Sequence, residues 1–364
     1  MIKDSTQDNR IIWVDILRII ATWGVISIHG KSCYDFEITS YKWVEFNVIG
    51  QVFTFCVPAF LMLSGMLILQ REPSIKETVL KRVPKVYLMK LVSLFFCVLV
   101  GVAIALLHKA PLRDCVVSVV EPGRWGMGTS YLSVLAGCYI VSPFLYKIIY
   151  DEKMEEYFLI LAMIFCWIVP SFVDLPYVQE SVPEFISAAM GWIDYGQVYV
   201  PVGSAMLFVM GHYLDRIAYK ISKRRATLLV IIGLFAWVLS GLWAIANPDV
   251  KNLITILRYG RYYGSYVAPL ITFYTAAIFI FFKNVVADIR FSERTERWIR
   301  HLGRNSIMIF LLHGIVINVF RPRIPIFWTR SFLLETVVDV TFYFIVCYIA
   351  SLILEHIPII RRIM

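Results

Sequence analysis

Long apolar runs alternate with short polar segments along the chain. Crossing a bilayer as a helix takes about 20 mostly apolar residues. Ten runs approach or reach that length, near residues 11–30, 44–69, 86–107, 129–149, 157–173, 197–214, 227–246, 264–282, 304–320 and 333–355. The fifth is short and is closed by Pro170, because proline removes a backbone donor and clashes with the preceding turn. The pattern predicts an all-α fold, a polytopic membrane helix bundle of about ten transmembrane helices. No internal repeat or low-complexity stretch interrupts it and no soluble segment is appended, so residues 1–364 read as a single membrane domain.

Charge gives the bundle a direction. With the N-terminus inside, the inward connections hold 22 Lys and Arg and the outward ones 11. Cytoplasmic connections carry the excess of basic residues, so both termini are expected in the cytoplasm and the chain in the cell's inner (plasma) membrane, with lipid around it. The net charge of +9 would suit a nucleic-acid partner. Its distribution between apolar runs excludes that reading. The hydrophobic share of 59% and charged share of 17% depart in the same direction from a soluble domain, at about 45–50% and 25%. Seven cysteines are present, most of them inside apolar runs. They form no C-x-x-C pair and no His/Cys set with metal-ligand spacing, so they read as buried thiols and no metal is expected. The first run carries Asp15 and Arg18 and lacks a small-residue cleavage site after it, so no cleavable signal peptide is expected.

That first run, "VDILRIIATWGVISIHG" (Val14–Gly30), is where chemistry enters. A charge at the centre of a spanning helix costs about 2.5–3.5 kcal/mol on insertion scales. Arg18 and His29 are eleven residues apart, which at 100° per residue is 20° past three full turns. They share one helix face, about 16 Å apart along the axis. Asp15, three residues before Arg18, can pair with it. Two readings fit the spacing. The three can line a bundle interior or a wet cavity, or Arg18 can snorkel, Asp15 neutralise it and His29 sit wetted at the outer interface.

The Asp, Arg and His of the first span resemble the motif of the acyltransferase-3 family of membrane acyltransferases. "VPAFLMLSG" (Val57–Gly65) is similar to the family's second-span V-P-x-F-x-x-x-S-G motif, and "LGRNSIMIFLLHG" (Leu302–Gly314) to its late-span S-x-x-I-x-x-x-H pattern. Within the family, the short chain and "YVAPLITFYTAAIFIFFKN" (Tyr266–Asn284) are most similar to the enterobacterial common antigen O-acetyltransferase type. Two stretches depart. The family's Arg-x-x-Arg after the second span is "KRVPK" here, with Arg82 and Lys85, and a Lys loses the bidentate fork. The aromatic entry to the fourth span is "GTSYL", leaving only Tyr131.

The resemblance implies an enzyme that moves an acyl group, acetyl before any larger one, from cytoplasmic acetyl-CoA or another acyl-CoA to a hydroxyl of a cell-surface polysaccharide or its lipid-linked precursor. His29 would be the general base for the acceptor hydroxyl. Arg18, partnered by Asp15, would hold the pantetheine arm or the acyl carbonyl. Arg82 and Lys85, with Lys81, would hold the nucleotide phosphates from a cytoplasmic loop, or be an ordinary positive-inside loop. Pro58 could open a kink, while Ser64 and Gly65 fit close helix packing. Ser306, with Asn305, would cap the ninth span, and His313 is a second functional histidine or a helix bridge. Outside, the acidic segment Asp174–Asp194 precedes Tyr199 and includes Trp192, which Tyr195 follows, and "LRYGRYYGSY" carries Arg258 and Arg261. These are candidate acceptor contacts, or members of the aromatic belt. The alternative on composition is a transporter or flippase of a polysaccharide precursor without acyl-transfer activity, although no matched pair of broken helices marks one.

Overall fold

The computed structural model describes residues 10–30, 40–48, 50–120, 129–168, 199–246, 267–321 and 331–363. Among the described residues there is no strand. The helices are α1 (Ile12–Gly30), α2 (Tyr41–Val48), α3 (Cys56–Ile68), α4 (Ile75–His108), α5 (Leu112–Val120), α6 (Thr129–Ile149), α7 (Glu152–Met163), α8 (Tyr199–Ile217), α9 (Lys223–Ala246), α10 (Pro269–Asn284), α11 (Glu293–Phe320), α12 (Phe332–Leu354) and α13 (Pro358–Ile363). Seven described segments are long and apolar enough to cross a membrane: α1, α4, Ser130–Ile149, Lys223–Trp243, Pro269–Asp288, α11 and α12.

Several boundaries differ from the apolar pattern, each for a local reason. The second run is broken into α2, a 3-10 turn at Gly50–Phe55, and α3. Pro58 lies in the first turn of α3, where a missing N–H costs nothing, so it begins a helix instead of kinking one. The stretch with Lys81, Arg82 and Lys85 is not a loop. It is the start of α4, which passes through a π turn at Thr78–Arg82. Pro84 lies two residues past it, and the wider turn accommodates its ring. In α6, Pro143 leaves the Tyr139 carbonyl without its helical donor, and the Ser142 hydroxyl donates to that carbonyl at 2.8 Å. The described part of the fifth run is α7 plus a π turn at Ile164–Ile168.

The largest difference is α11. Its apolar run begins near residue 304, but the helix begins at Glu293. Ser292 caps it by accepting from the Thr295 N–H at 3.2 Å, and Glu293 and Glu296 complement the N-terminal dipole.

The described chain groups into two compact units. The first contains α1, most of α4, α5, the start of α6, α11, α12 and α13. There α1 packs along α11, and α12 lies against both. Ser93 of α4 donates to the Leu311 carbonyl at 3.4 Å, and Cys97 packs with Ile315 four residues further along each helix. The second unit contains α3, the rest of α6, and α7 to α10. Its tightest crossing is α3 on α8. A Cβ on Gly65 would lie 1.8 Å from the Phe208 carbonyl oxygen, and one on Gly211 would lie 1.9 Å from that of Met62. Glycine on both sides lets the two backbones touch. A buried Glu155 on α7 accepts from Arg216 of α8 at 2.9 and 3.1 Å and meets His212 Nδ1 at 2.7 Å, which ties α7 to α8.

Candidate functional site

The first unit brings together the two histidines that the sequence leaves 284 positions apart. His29 of α1 and His313 of α11 have ring centroids 5.3 Å apart, tilted by 36°. The helix pair that carries them is set at its other end by Gly303. A Cβ there would lie 2.7 Å from the Cβ of Asp15, so α11 presents a gap to the one carboxylate of α1. The contacts Asp15–Gly303 and His29–His313 fall in the same order along both helices, so α1 and α11 run parallel.

His313 is fully buried. Its Nδ1 lies 2.5 Å from the Phe310 carbonyl, which can only accept, so this nitrogen carries the proton. Nε2 is then a bare acceptor, and among the described residues it has no hydrogen-bond partner. Phe310 packs against the His313 ring at 5.4 Å, and Tyr131 of α6 stands edge-on to Phe310 at 5.5 Å. The lone aromatic left at the fourth-span entry thus supports the histidine pair from behind.

Asp15 is buried, and its main partner is not Arg18. Arg10, just before α1, donates to both carboxylate oxygens, Nη2 at 2.6 Å and Nε at 3.0 Å. Arg18 Nη1 stands at 3.9 Å, beyond hydrogen-bond distance. Arg300 of α11 holds the Arg10 carbonyl at 2.7 Å and so fixes that entry turn. Arg10 carries no signal in the apolar pattern, because it precedes the run and sits five residues from its partner. Arg18 is part-exposed at 29%, and Thr22 donates to its carbonyl at 2.8 Å.

Arg82 donates to Glu77 at 3.2 Å within its own helix, while its Nη1 is buried with no partner among the described residues. Lys85 is exposed. Ser306 is not a cap. It lies in mid-helix, and its hydroxyl donates to the Gly303 carbonyl at 2.8 Å. Asn305 is also internal, bonded to the His301 carbonyl and to the Ser351 hydroxyl. The cap expectation fails because the charged segment before residue 304 is helical without being apolar. Ser64 lies on α3, in the second unit. Trp192, Tyr195, Arg258 and Arg261 lie outside the described residues.

The first unit therefore holds an imidazole pair at one end of α1 and a cluster of guanidiniums around one buried carboxylate at the other. Such a site can take a proton at one end and hold an anion at the other. A family model described as an acyltransferase domain matches residues 11–356. No curated protein and no solved structure matches the chain.

Proposed function

The chain belongs to the acyltransferase-3 family and is a membrane acyltransferase, and from that premise we propose the reaction it performs. It transfers an acyl group, acetyl first among candidates, from a cytoplasmic acyl-CoA to a hydroxyl of a surface polysaccharide or its lipid-linked precursor. A glycan of the enterobacterial common antigen kind is the first acceptor to test, on the resemblance at Tyr266–Asn284. The observation that carries the reading is the His29–His313 contact across two parallel helices of a family-matched chain.

In this reading His29 takes the proton of the acceptor hydroxyl as its oxygen attacks the thioester carbonyl. The tetrahedral oxyanion collapses, the C–S bond breaks, and the leaving thiolate takes the proton back from the imidazolium. His313, locked by Phe310, orients the His29 ring. Arg18, about 16 Å from His29 along the axis, is too distant to touch that carbonyl. It serves the pantetheine arm or a phosphate, while Arg10 takes both carboxylate oxygens of Asp15. Arg82 and the exposed Lys85 are the proposed contacts of the nucleotide phosphates. Trp192, Tyr195, Arg258 and Arg261 are the proposed acceptor contacts.

All ten apolar runs cross the membrane in this scheme, with both termini cytoplasmic in the inner membrane and one catalytic domain over residues 1–364. Helix directions support the count. The parallel course of α1 and α11 requires an odd number of crossings between them. The paired contacts Ser93–Leu311 and Cys97–Ile315 give α4 the same direction as α11, so the segment containing α2 and α3 returns across the bilayer. In the second unit the contacts Gly203–Val267 and Asp215–Lys283 fall in the same order along the chain, so α8 and α10 run parallel, as two spans with one crossing between them do.

The test uses purified protein in detergent with radiolabelled acetyl-CoA. Wild type is expected to bind and turn over, His29→Ala to bind without turnover, and Arg18→Ala to bind weakly. Equal turnover by all three would remove His29 and Arg18 from the mechanism, and a wild type without turnover would return the transporter alternative.

A further inference from the structure

The extra turns of α11 build a feature that the histidine site does not use. Between them and the last turns of α12 lies a groove of about 500 Å³, lined by Arg294, Arg297, Trp298, His301, Tyr348 and Leu352. All six belong to the first unit. The Tyr348 hydroxyl and His301 Nδ1 are 3.0 Å apart, which fixes both side chains across the two helices. Trp298 stands edge-on to His301 with ring centroids 6.5 Å apart, yet it is 60% exposed. Arg297 Nε reaches only the carbonyl of Glu293 on its own helix, at 3.4 Å. Neither Arg294 nor Arg297 has a carboxylate partner among the described residues. The acids nearby do not neutralise them: Glu296 is taken by Arg300 at 3.4 Å, and Glu355 at the end of α12 pairs with neither.

An exposed indole at a helix end is ordinary interfacial anchoring, and two basic residues near it are ordinary topology. Neither habit accounts for two guanidiniums without acids on the wall of a concavity, facing a Tyr–His pair locked by a hydrogen bond. Guanidinium forks match phosphate oxygens, and an indole face takes a planar or apolar body. We propose that this groove binds a phosphate-bearing ligand, with the phosphate on Arg294 and Arg297 and the ligand body against Trp298 and Leu352. Two molecules supply that chemistry. One is the nucleotide end of the acyl-CoA donor, which rests on the function proposed above. The other is the headgroup of an anionic phospholipid, which does not.

The experiment uses the purified full-length protein in two arms. Coenzyme A is titrated by calorimetry in neutral detergent, and phosphatidylglycerol against phosphatidylcholine is scored by native mass spectrometry from nanodiscs. The Arg294→Ala/Arg297→Ala double variant is expected to lose about tenfold or more in affinity for one probe, and Trp298→Ala to lose less. The arm that responds identifies the ligand source. Should the alanine variant fail to fold, Arg294→Lys/Arg297→Lys keeps the charge and removes the fork, and weaker binding is expected there too. Wild-type binding of both probes by the folded variants overturns the proposal. Turnover measured alongside separates the two readings. An active protein whose probe binding ignores these residues removes the groove and leaves the acyltransferase mechanism standing. An inactive protein whose lipid binding depends on them does the reverse.

Discussion

Replacing Gly303 by alanine should damage both stability and the histidine site, although residue 303 is ten positions from His313. The new Cβ would lie 2.7 Å from the Asp15 Cβ, while ordinary contact begins at 3.4 Å. The atom it meets is bonded directly to the α1 backbone and cannot swing aside, so α1 and α11 must part by roughly 0.7 Å. Overpacking of this kind costs about 1–3 kcal/mol. The same displacement acts on the pair that holds His29 against His313, and a misplacement near 1 Å can cost about 100-fold in rate. Thermal melting in detergent and acetyl-CoA turnover read the two effects separately. Gly137→Ala on α6 is the matched control, because nothing lies within 4 Å of its Cβ position. It should gain about 0.5–1 kcal/mol from helix propensity alone. A Gly303→Ala protein that melts and turns over like wild type would falsify the idea that this glycine sets the helix pair.

Three further outcomes follow from the geometry. His313→Ala should lower turnover by about tenfold or more while donor binding and melting temperature hold, and unchanged turnover would remove His313 from the mechanism. Arg10→Met should strand the buried Asp15 carboxylate at a cost of about 3 kcal/mol, the low end of the range because Arg10 is 26% exposed; Arg10→Met/Asp15→Asn should recover most of the melting temperature, and no recovery would mean that the pair is not the source. Gly65→Ala places a methyl 1.8 Å from a carbonyl oxygen and should abolish the folded peak in size-exclusion chromatography, whereas a normal elution profile would contradict the close α3–α8 crossing.

Apolar periodicity made most of the helices legible, and the shared face of Arg18 and His29 was legible from spacing. What escaped has physical causes. The turns of α11 before residue 304 are charged and amphipathic, so a hydropathy run cannot include them. Their start was nevertheless written in the cap, Ser292 followed by Glu293 and Glu296. Misplacing that start made Ser306 look like a cap when it is a mid-helix residue bonded to its own backbone. Arg10 was missed as the partner of Asp15 because pairing was sought within the apolar run. The His29–His313 contact joins distant segments, and no local rule predicts which helices become neighbours.

The reciprocal glycines of α3 and α8 also limit how this protein can change. Where a side chain crowds a side chain, a second substitution can trim the neighbour. Gly203 is such a position, since the three atoms nearest a Cβ there all belong to the Val267 side chain, at 2.8–3.3 Å, and Val267→Ala would remove the closest two. Gly65 and Gly211 face peptide carbonyls, which every amino acid carries. No replacement on the opposite helix can shrink a carbonyl, so a screen for second-site suppressors should recover partners for Gly203→Ala and none at the facing positions for Gly65→Ala.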